Sequence, residues 1–300
     1  MFKSLLDKFK TGGIVKKYIY ANVAIYIFFV LIGVFSVLFN NPGLADEIKG
    51  WFELPASVGG VLGRPWTPFT YMFIHGGVMH ILWNMFALYV FGGIFLNFFS
   101  VRHFIGTYIL GGLSGALFFV LAYNVFPYFS GVVGHACLVG ASASVLAIVV
   151  AAAVRCPDYR INLLFFGSVR LSTFAFITVL VSVLMLSGEN AGGNFAHLGG
   201  AFAGFAVAMM LGRGVDITEV VNRPLDWFNN FFSGAAFKRR KKAKFTYTKG
   251  GKRSADYEYN SRKRNDEAEI DKILEKIKKG GYASLTDAEK KRLFEASSRK

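Results

Sequence analysis

The sequence predicts an all-α, polytopic membrane protein: a bundle of six transmembrane helices followed by a small helical cytoplasmic tail. Of its 300 residues 53% are hydrophobic and 16% aromatic, too apolar for an ordinary soluble domain. Apolar runs of about 20 residues, the length a helix needs to cross about 30 Å of hydrocarbon, recur at 18–39, 78–99, 104–126, 133–154, 170–187 and 195–212. The net charge of +15 lies mostly outside them. Of the 34 Lys and Arg, 23 follow residue 212, against 13 of the 19 acids, so the tail alone carries +10.

Taken in order, residues 1–17 hold five lysines and no small-residue cleavage site, which reads as a cytoplasmic segment before a retained span. The membrane region, 18–212, follows. Its segment Asn40 to Gly77 carries Pro42, Pro55, Pro65 and Pro68 with Trp51, Phe52 and Trp66. That is too long for a simple connector, so it is expected to pack at the interface. The N-terminus, the Arg102 turn, the Arg155/Arg160/Arg170 loop and the tail are basic, whereas the opposite loops offer only Lys49 and Arg64. The positive-inside bias then makes both termini cytoplasmic and the location the cell membrane. Cys137 and Cys156 fall at opposite ends of the fourth run, too far apart to bridge.

Residues 213–265 read as an aromatic and basic juxtamembrane linker, disordered over 245–265. It runs from Pro224-Leu-Asp-Trp-Phe-Asn-Asn-Phe-Phe into the cationic cluster Lys238–Lys244. Two readings stand: it rests on anionic lipid headgroups, or it is a solvated linker that fixes topology. No nucleic-acid partner is expected, because the run lacks a recognisable reading fold. In 266–300, Ile270, Ile273, Leu274 and Ile277 repeat at helical spacing and Gly280-Gly281 ends that helix. Thr286-Asp-Ala-Glu289 then starts a second helix with a capping box, Leu293 and Phe294 on one face.

Polar groups are costly in hydrocarbon, so a serine, two histidines and an asparagine in separate spans mark a functional site by default. Ser142 follows Gly140 and lies twelve or thirteen residues, roughly 18–20 Å of helix, from the basic edge at Arg155. In a core of about 30 Å this sets it about 10 Å below the outer surface. His197 is sixteen residues, roughly 24 Å, from Arg213, a comparable depth. A neutral imidazole is the usual base for a serine hydroxyl near pH 7, and Ser142 at a helix start also offers its own N–H to an oxyanion. His80 and Asn84, four apart on one helical face, add side-chain donors. Gly199, Gly200, Gly204 and Ala208 form a small-residue track for close helix packing; if its neighbour is the fourth helix, Ser142 and His197 meet. Each signal alone has a plainer reading, as packing or as a helix–helix hydrogen bond. Their combination at matched depth favours hydrolysis inside the membrane.

These residues resemble the rhomboid family of intramembrane serine proteases, in the six-helix arrangement of its bacterial type. The resemblance rests on His80-x-x-x-Asn84 in the second span, Gly140-x-Ser142 in the fourth and Ala196-His197-x-x-Gly200 in the sixth. Thr70, Phe73 and His75 extend it upstream. It implies a Ser142–His197 catalytic dyad and an oxyanion site from His80, Asn84 and the Ser142 backbone, with His75, Gly140 and Gly200 in support. It further implies cleavage of other membrane proteins near their outer ends. No cofactor or metal is expected, and because a stable transmembrane helix hides its carbonyls in its own hydrogen bonds, substrates are expected to carry helix-weakening residues near the outer face. Three positions depart from the family pattern. Ala143 replaces a glycine and is expected to enlarge the helix surface beside the oxyanion site. Trp66-Thr67 replaces a Trp-Arg pair, with Arg64 displaced. Leu146 replaces an aromatic that packs on the histidine, leaving the dyad to apolar packing. The alternative is a rhomboid-like binding or quality-control factor without proteolysis. A transporter built on His75, His80, His135 and His197 would lack any carboxylate in the spans, and no His-Glu-x-x-His exists for a metalloprotease.

Overall fold

The computed structural model describes residues 13–163, 167–232, 271–281 and 284–297, in two compact units, Met1–Ala236 and Phe237–Lys300. Six of the helices in the first unit form its bundle: α1 (Ile14–Leu38), α2 (Val78–Leu96), α3 (Val101–Val125), α4 (Ser142–Arg155), α5 (Leu171–Leu184) and α6 (Ala191–Gly212). Of these, α1, α2, α3 and α6 are long and apolar enough to cross a membrane. The chain is a polytopic membrane protein of all-α architecture.

Helices α4 and α5 have 14 residues each, about 21 Å at 1.5 Å per residue. The helix expected over 133–154 therefore starts nine residues late, at Ser142. Two causes act on the residues before it. Gly140 has φ +121°, a region closed to a helix and open mainly to glycine. Ahead of it, strand β2 (Cys137–Leu138) pairs antiparallel with β1 (Leu54–Pro55), Leu54 opposite Leu138, and the Ala56 N–H extends the pairing to the Ala136 carbonyl at 2.9 Å. Cys137 thus lies on a strand outside the helix; both cysteines are free. The basic loop before α5 is a hairpin rather than plain loop, β3 (Arg160–Leu163) against β4 (Gly167–Arg170).

Helix α4 sits at the centre, packed against α2, α3, α5 and α6. Every residue from Ala143 to Ala153 is buried, as its small and β-branched composition allows. The approach of α6 is closest. A Cβ on Gly200 would overlap the Ala143 carbonyl, and one on Gly204 the Ala147 carbonyl, so these two glycines are what let the helix backbones touch. Gly199 instead faces α3, against Ser114 and Gly115, so the small-residue track serves two neighbours. Helix α3 begins at a capping box in which Ser100 Oγ accepts from the His103 N–H at 3.1 Å and the Ser100 N–H donates to His103 Nδ1 at 3.4 Å. Helix α1 is peripheral: only 11% of its apolar window is buried, and it is held near its start by Tyr18, whose ring lies 4.7 Å from Tyr108 and 5.6 Å from Phe104.

The segment between α1 and α2 folds on itself through two tryptophans, Trp51 and Trp66, stacked at 6.2 Å. Trp66 Nε1 donates to the Trp51 carbonyl at 2.8 Å and Thr67 Oγ1 to the Arg64 carbonyl at 2.8 Å. Arg64 in turn donates to the Gly50 carbonyl. The departure at Thr67 therefore leaves this segment tied, by backbone carbonyls.

After α6, residues Glu219–Phe232 form a further helix, α7, inside what the sequence presents as linker. Arg102 at the start of α3 holds it, bonding Glu219 at 2.7 and 3.2 Å and Asp226 at 2.7 Å. Asn222 Nδ2 adds a bond to the Arg102 carbonyl at 3.1 Å. The hydrogen bonds from Arg102 and Arg223 hold the Glu219 carboxyl below its ordinary range. Val220, Trp227, Phe228 and Phe231 stand exposed on α7. The cluster Lys238–Lys244, the stretch 245–265 and Ile270 lie outside the described residues, as do the side chain of Phe294 and residues 1–12.

In the second unit, residues 271–280 are helical. The chain leaves that helix through Gly281 at φ +72°, whose N–H donates to the Ile277 carbonyl at 2.8 Å, a left-handed C-terminal cap. Asp287–Ser297 is the second helix. Its Thr286–Glu289 capping box is formed, with the Thr286 N–H donating to Glu289 at 2.7 Å and the Glu289 N–H to Thr286 Oγ1 at 3.4 Å. Lys276 reaches across to Glu289 at 3.0 Å. These bonds, the Thr286 N–H first, pull the Glu289 pKa down to about 2. Ile273 and Leu285 are buried in this unit.

Because Gly200 meets backbone, Gly200→Val forces α6 off α4 and is expected to cost about 1–3 kcal/mol or more, the usual penalty of overpacking. Gly212→Ala, with nothing within 4 Å of its new methyl, leaves stability unchanged. Thermal unfolding in one detergent checks the contrast.

Candidate active site

Ser142 is the first residue of α4, so its N–H is among the amides that have no acceptor within the helix. No acidic residue sits in that first turn, and the helix end carries a partial positive charge. The turn delivering Ser142 is anchored from below. The Gly140 N–H donates to the Tyr71 carbonyl at 3.0 Å, and the Tyr71 hydroxyl donates to the Gly112 carbonyl at 2.6 Å.

Gly140 also makes room for His80. A Cβ there would stand 2.7 Å from His80 Nε2, with Ser142 Oγ 3.8 Å away, so the imidazole edge and the serine hydroxyl flank the same glycine. His80 Nδ1 accepts from the Gly76 N–H at 3.4 Å. Its neutral ring then carries the proton on Nε2, as a donor. His75 packs edge-on against it, ring centroids 5.2 Å apart, and is buried with neither nitrogen partnered among the described residues. One turn along α2, Asn84 Nδ2 donates to the His80 carbonyl at 2.9 Å; an amide nitrogen has two hydrogens, and the second remains.

His197 comes from α6, and its Nδ1 lies 3.2 Å from Ser182 Oγ of α5. His80, Asn84, Ser142 and His197 all line one cavity of about 470 Å³ between α2, α4, α5 and α6. Apart from Thr178, its remaining wall is largely apolar, including Leu146, Val149, Phe91 and Phe174. Of these, Phe91 and Phe174 stack at 4.9 Å.

Gly200 backs the site by letting α6 reach α4. Ala143 behaves differently from expectation: it is 1% exposed and its methyl points at Gly115 of α3, so it fills a helix seam and adds no surface to the cavity. Leu146 does line the cavity, yet His197 has a polar partner as well. Sequence reasoning missed Ser182, whose one signal was a second hydroxyl four residues after Thr178 in an apolar run. It also missed Tyr71 and Gly76, which act through backbone groups.

A family model described as "Rhomboid domain" matches residues 62–214, just over half of the chain. The chain belongs to the rhomboid family. The rhomboid match takes in α2 through α6 and with them every residue lining the cavity, while α1 and α7 lie outside it. Rhomboids are a family of intramembrane serine proteases, although rhomboid-like proteins can be inactive. A second model, "Family of unknown function (DUF6576)", matches residues 253–299. No curated protein matches the chain.

Proposed function

We propose that this rhomboid is an active serine endopeptidase that cleaves other membrane proteins in or near their transmembrane segments. The observation that carries the reading is the convergence of Ser142, His197, His80 and Asn84 on one cavity. In this mechanism His197 accepts the Ser142 hydroxyl proton as Oγ attacks the scissile carbonyl carbon. The carbonyl oxygen takes up negative charge, stabilised by the Ser142 N–H, His80 Nε2–H and the second Asn84 Nδ2–H. His197 then returns the proton to the leaving amine, and water hydrolyses the acyl-enzyme by the same steps in reverse. The largely apolar wall strengthens each of these interactions relative to bulk water.

Both termini are assigned to the cytoplasm of a cell-membrane protein, which sets Ser142 about 10 Å below the outer surface of the hydrocarbon. The exposed aromatic residues of α7, followed by Lys238–Lys244, suit an anionic lipid surface.

Incubating the purified protein with single-span substrates tests the reading. Ser142→Ala and His197→Ala each abolish cleavage in a folded protein, since nucleophile and base act as a unit. Ser144→Ala retains it, because Ser144 is fully buried away from the cavity. His80→Ala and Asn84→Ala lower kcat more than they raise KM, by up to about 10²–10³-fold per donor. Cleavage that survives Ser142→Ala and is lost in Ser144→Ala contradicts the assignment, and a folded wild type that cleaves nothing supports a binding role.

A substrate helix hides its carbonyls in its own hydrogen bonds, so the preferred substrate carries Gly or Pro near the outer end of its span. Replacing those residues by Leu, with the cleavage-site side chains kept, slows cleavage. Initial rates in one lipid composition measure this, and equal rates across a series of rising helix stability remove unwinding as a determinant.

A further inference from the structure

Ser182 is 3% exposed, lies in the apolar helix α5, and is the only side chain hydrogen-bonded to His197 among the described residues. A hydroxyl has one proton to give and two lone pairs to accept with. The Ser182 proton is already committed, because Oγ donates to the Thr178 carbonyl at 3.0 Å. One turn earlier Thr178 does the same, donating to the Phe174 carbonyl at 2.8 Å. With that bond to its own helix in place, the Ser182 oxygen is left to accept from His197 Nδ1 at 3.2 Å, the pairing in which Nδ1 carries the hydrogen and Nε2 keeps its lone pair.

We propose that Ser182 is a positioning residue for His197: its hydroxyl oxygen accepts the Nδ1–H and so fixes the tautomer in which Nε2 is the base. The proposal rests on the protease reading for its kinetic consequence and on hydrogen-bond geometry alone for the tautomer. During acylation the Ser142 Oγ proton moves to Nε2, Nδ1–H stays bonded to Ser182, and Nε2 later gives its proton to the leaving amine. An ionised carboxylate in this place would need its own compensation in an apolar bundle. A neutral oxygen orients the ring without bringing a charge into the membrane. The orientation also has a support on the α6 side, where Asn194 Nδ2 donates to the Met185 carbonyl at 2.8 Å and ties the two helices beside the pair.

The test compares wild type with Ser182→Ala and Ser182→Thr in lipid nanodiscs. Histidine ¹⁵N shifts report the tautomer, His197 being assigned by the signals lost in His197→Gln. The wild type shows a protonated Nδ1 and a bare Nε2. Ser182→Ala yields mixed tautomers and a kcat lower by roughly tenfold, a part of the 10²–10⁴ that general-base catalysis supplies, with KM little changed. Ser182→Thr, which restores a hydroxyl able to bond the Thr178 carbonyl, recovers the tautomer and most of the turnover. A wild-type His197 protonated on Nε2 overturns the proposal, even where Ser182→Ala fails to fold. So does a folded Ser182→Ala with unchanged tautomer and kcat. An absence of cleavage by wild type strikes the protease reading instead, and the tautomer measurement still decides the role of Ser182.

Discussion

Backbone contact between α4 and α6 is the constraint on which the site depends. A serine and a histidine 55 positions apart in sequence share a cavity only if their helices approach more closely than side chains normally permit. Lipid offers little hydrophobic drive for such an approach, so van der Waals contact between backbones has to supply it. Gly200 and Gly204 open that contact at the Ala143 and Ala147 carbonyls, and Gly111 and Gly115 of α3 close in on the same alanines from another side. Ala143 belongs to this seam. Its methyl is part of the packing that fixes the direction of the Ser142 end of α4.

The shortness of α4 is the second half of the arrangement. A helix surrounded by protein need not match the thickness of a bilayer, because its ends lie against protein or a cavity and not in lipid. Here the turn before α4 is held by the Tyr71 carbonyl and by pairing with residues near Leu54. A helix start at that point brings free amides and a positive dipole end into the cavity. It also provides the chain reversal at Gly140 that admits the His80 ring. The position of Ser142 at a helix start and the access of His80 thus follow from one interruption of one helix.

The sequence made some of this readable and some not, for physical reasons. Spacing of four puts His80 and Asn84 on one face of any helix, and small residues at Gly200 and Gly204 announce a close crossing, so these could be read locally. So could the Thr286–Glu289 capping box, a contact three residues long. The start of α4 could not: residues 133–141 are apolar enough for a span, and the positive φ of Gly140 together with pairing to a strand some 80 residues away takes them out of the helix. Helix α7 contains Pro224, which reads as a breaker, and its anchoring to Arg102 is a long-range ion pair. The partnership of Ser182 with His197 needed the α5–α6 geometry, since nothing in either helix alone points to the other.

The central claim is that Ser142 is an activated nucleophile. A serine-directed fluorophosphonate, applied to the folded protein in lipid and followed by peptide mapping in a mass spectrometer, tests it without knowledge of the substrate. A covalent adduct on Ser142 in the wild type, absent from His197→Ala, is the result this account predicts. A folded wild type with no adduct, or with the adduct on another serine, would contradict it.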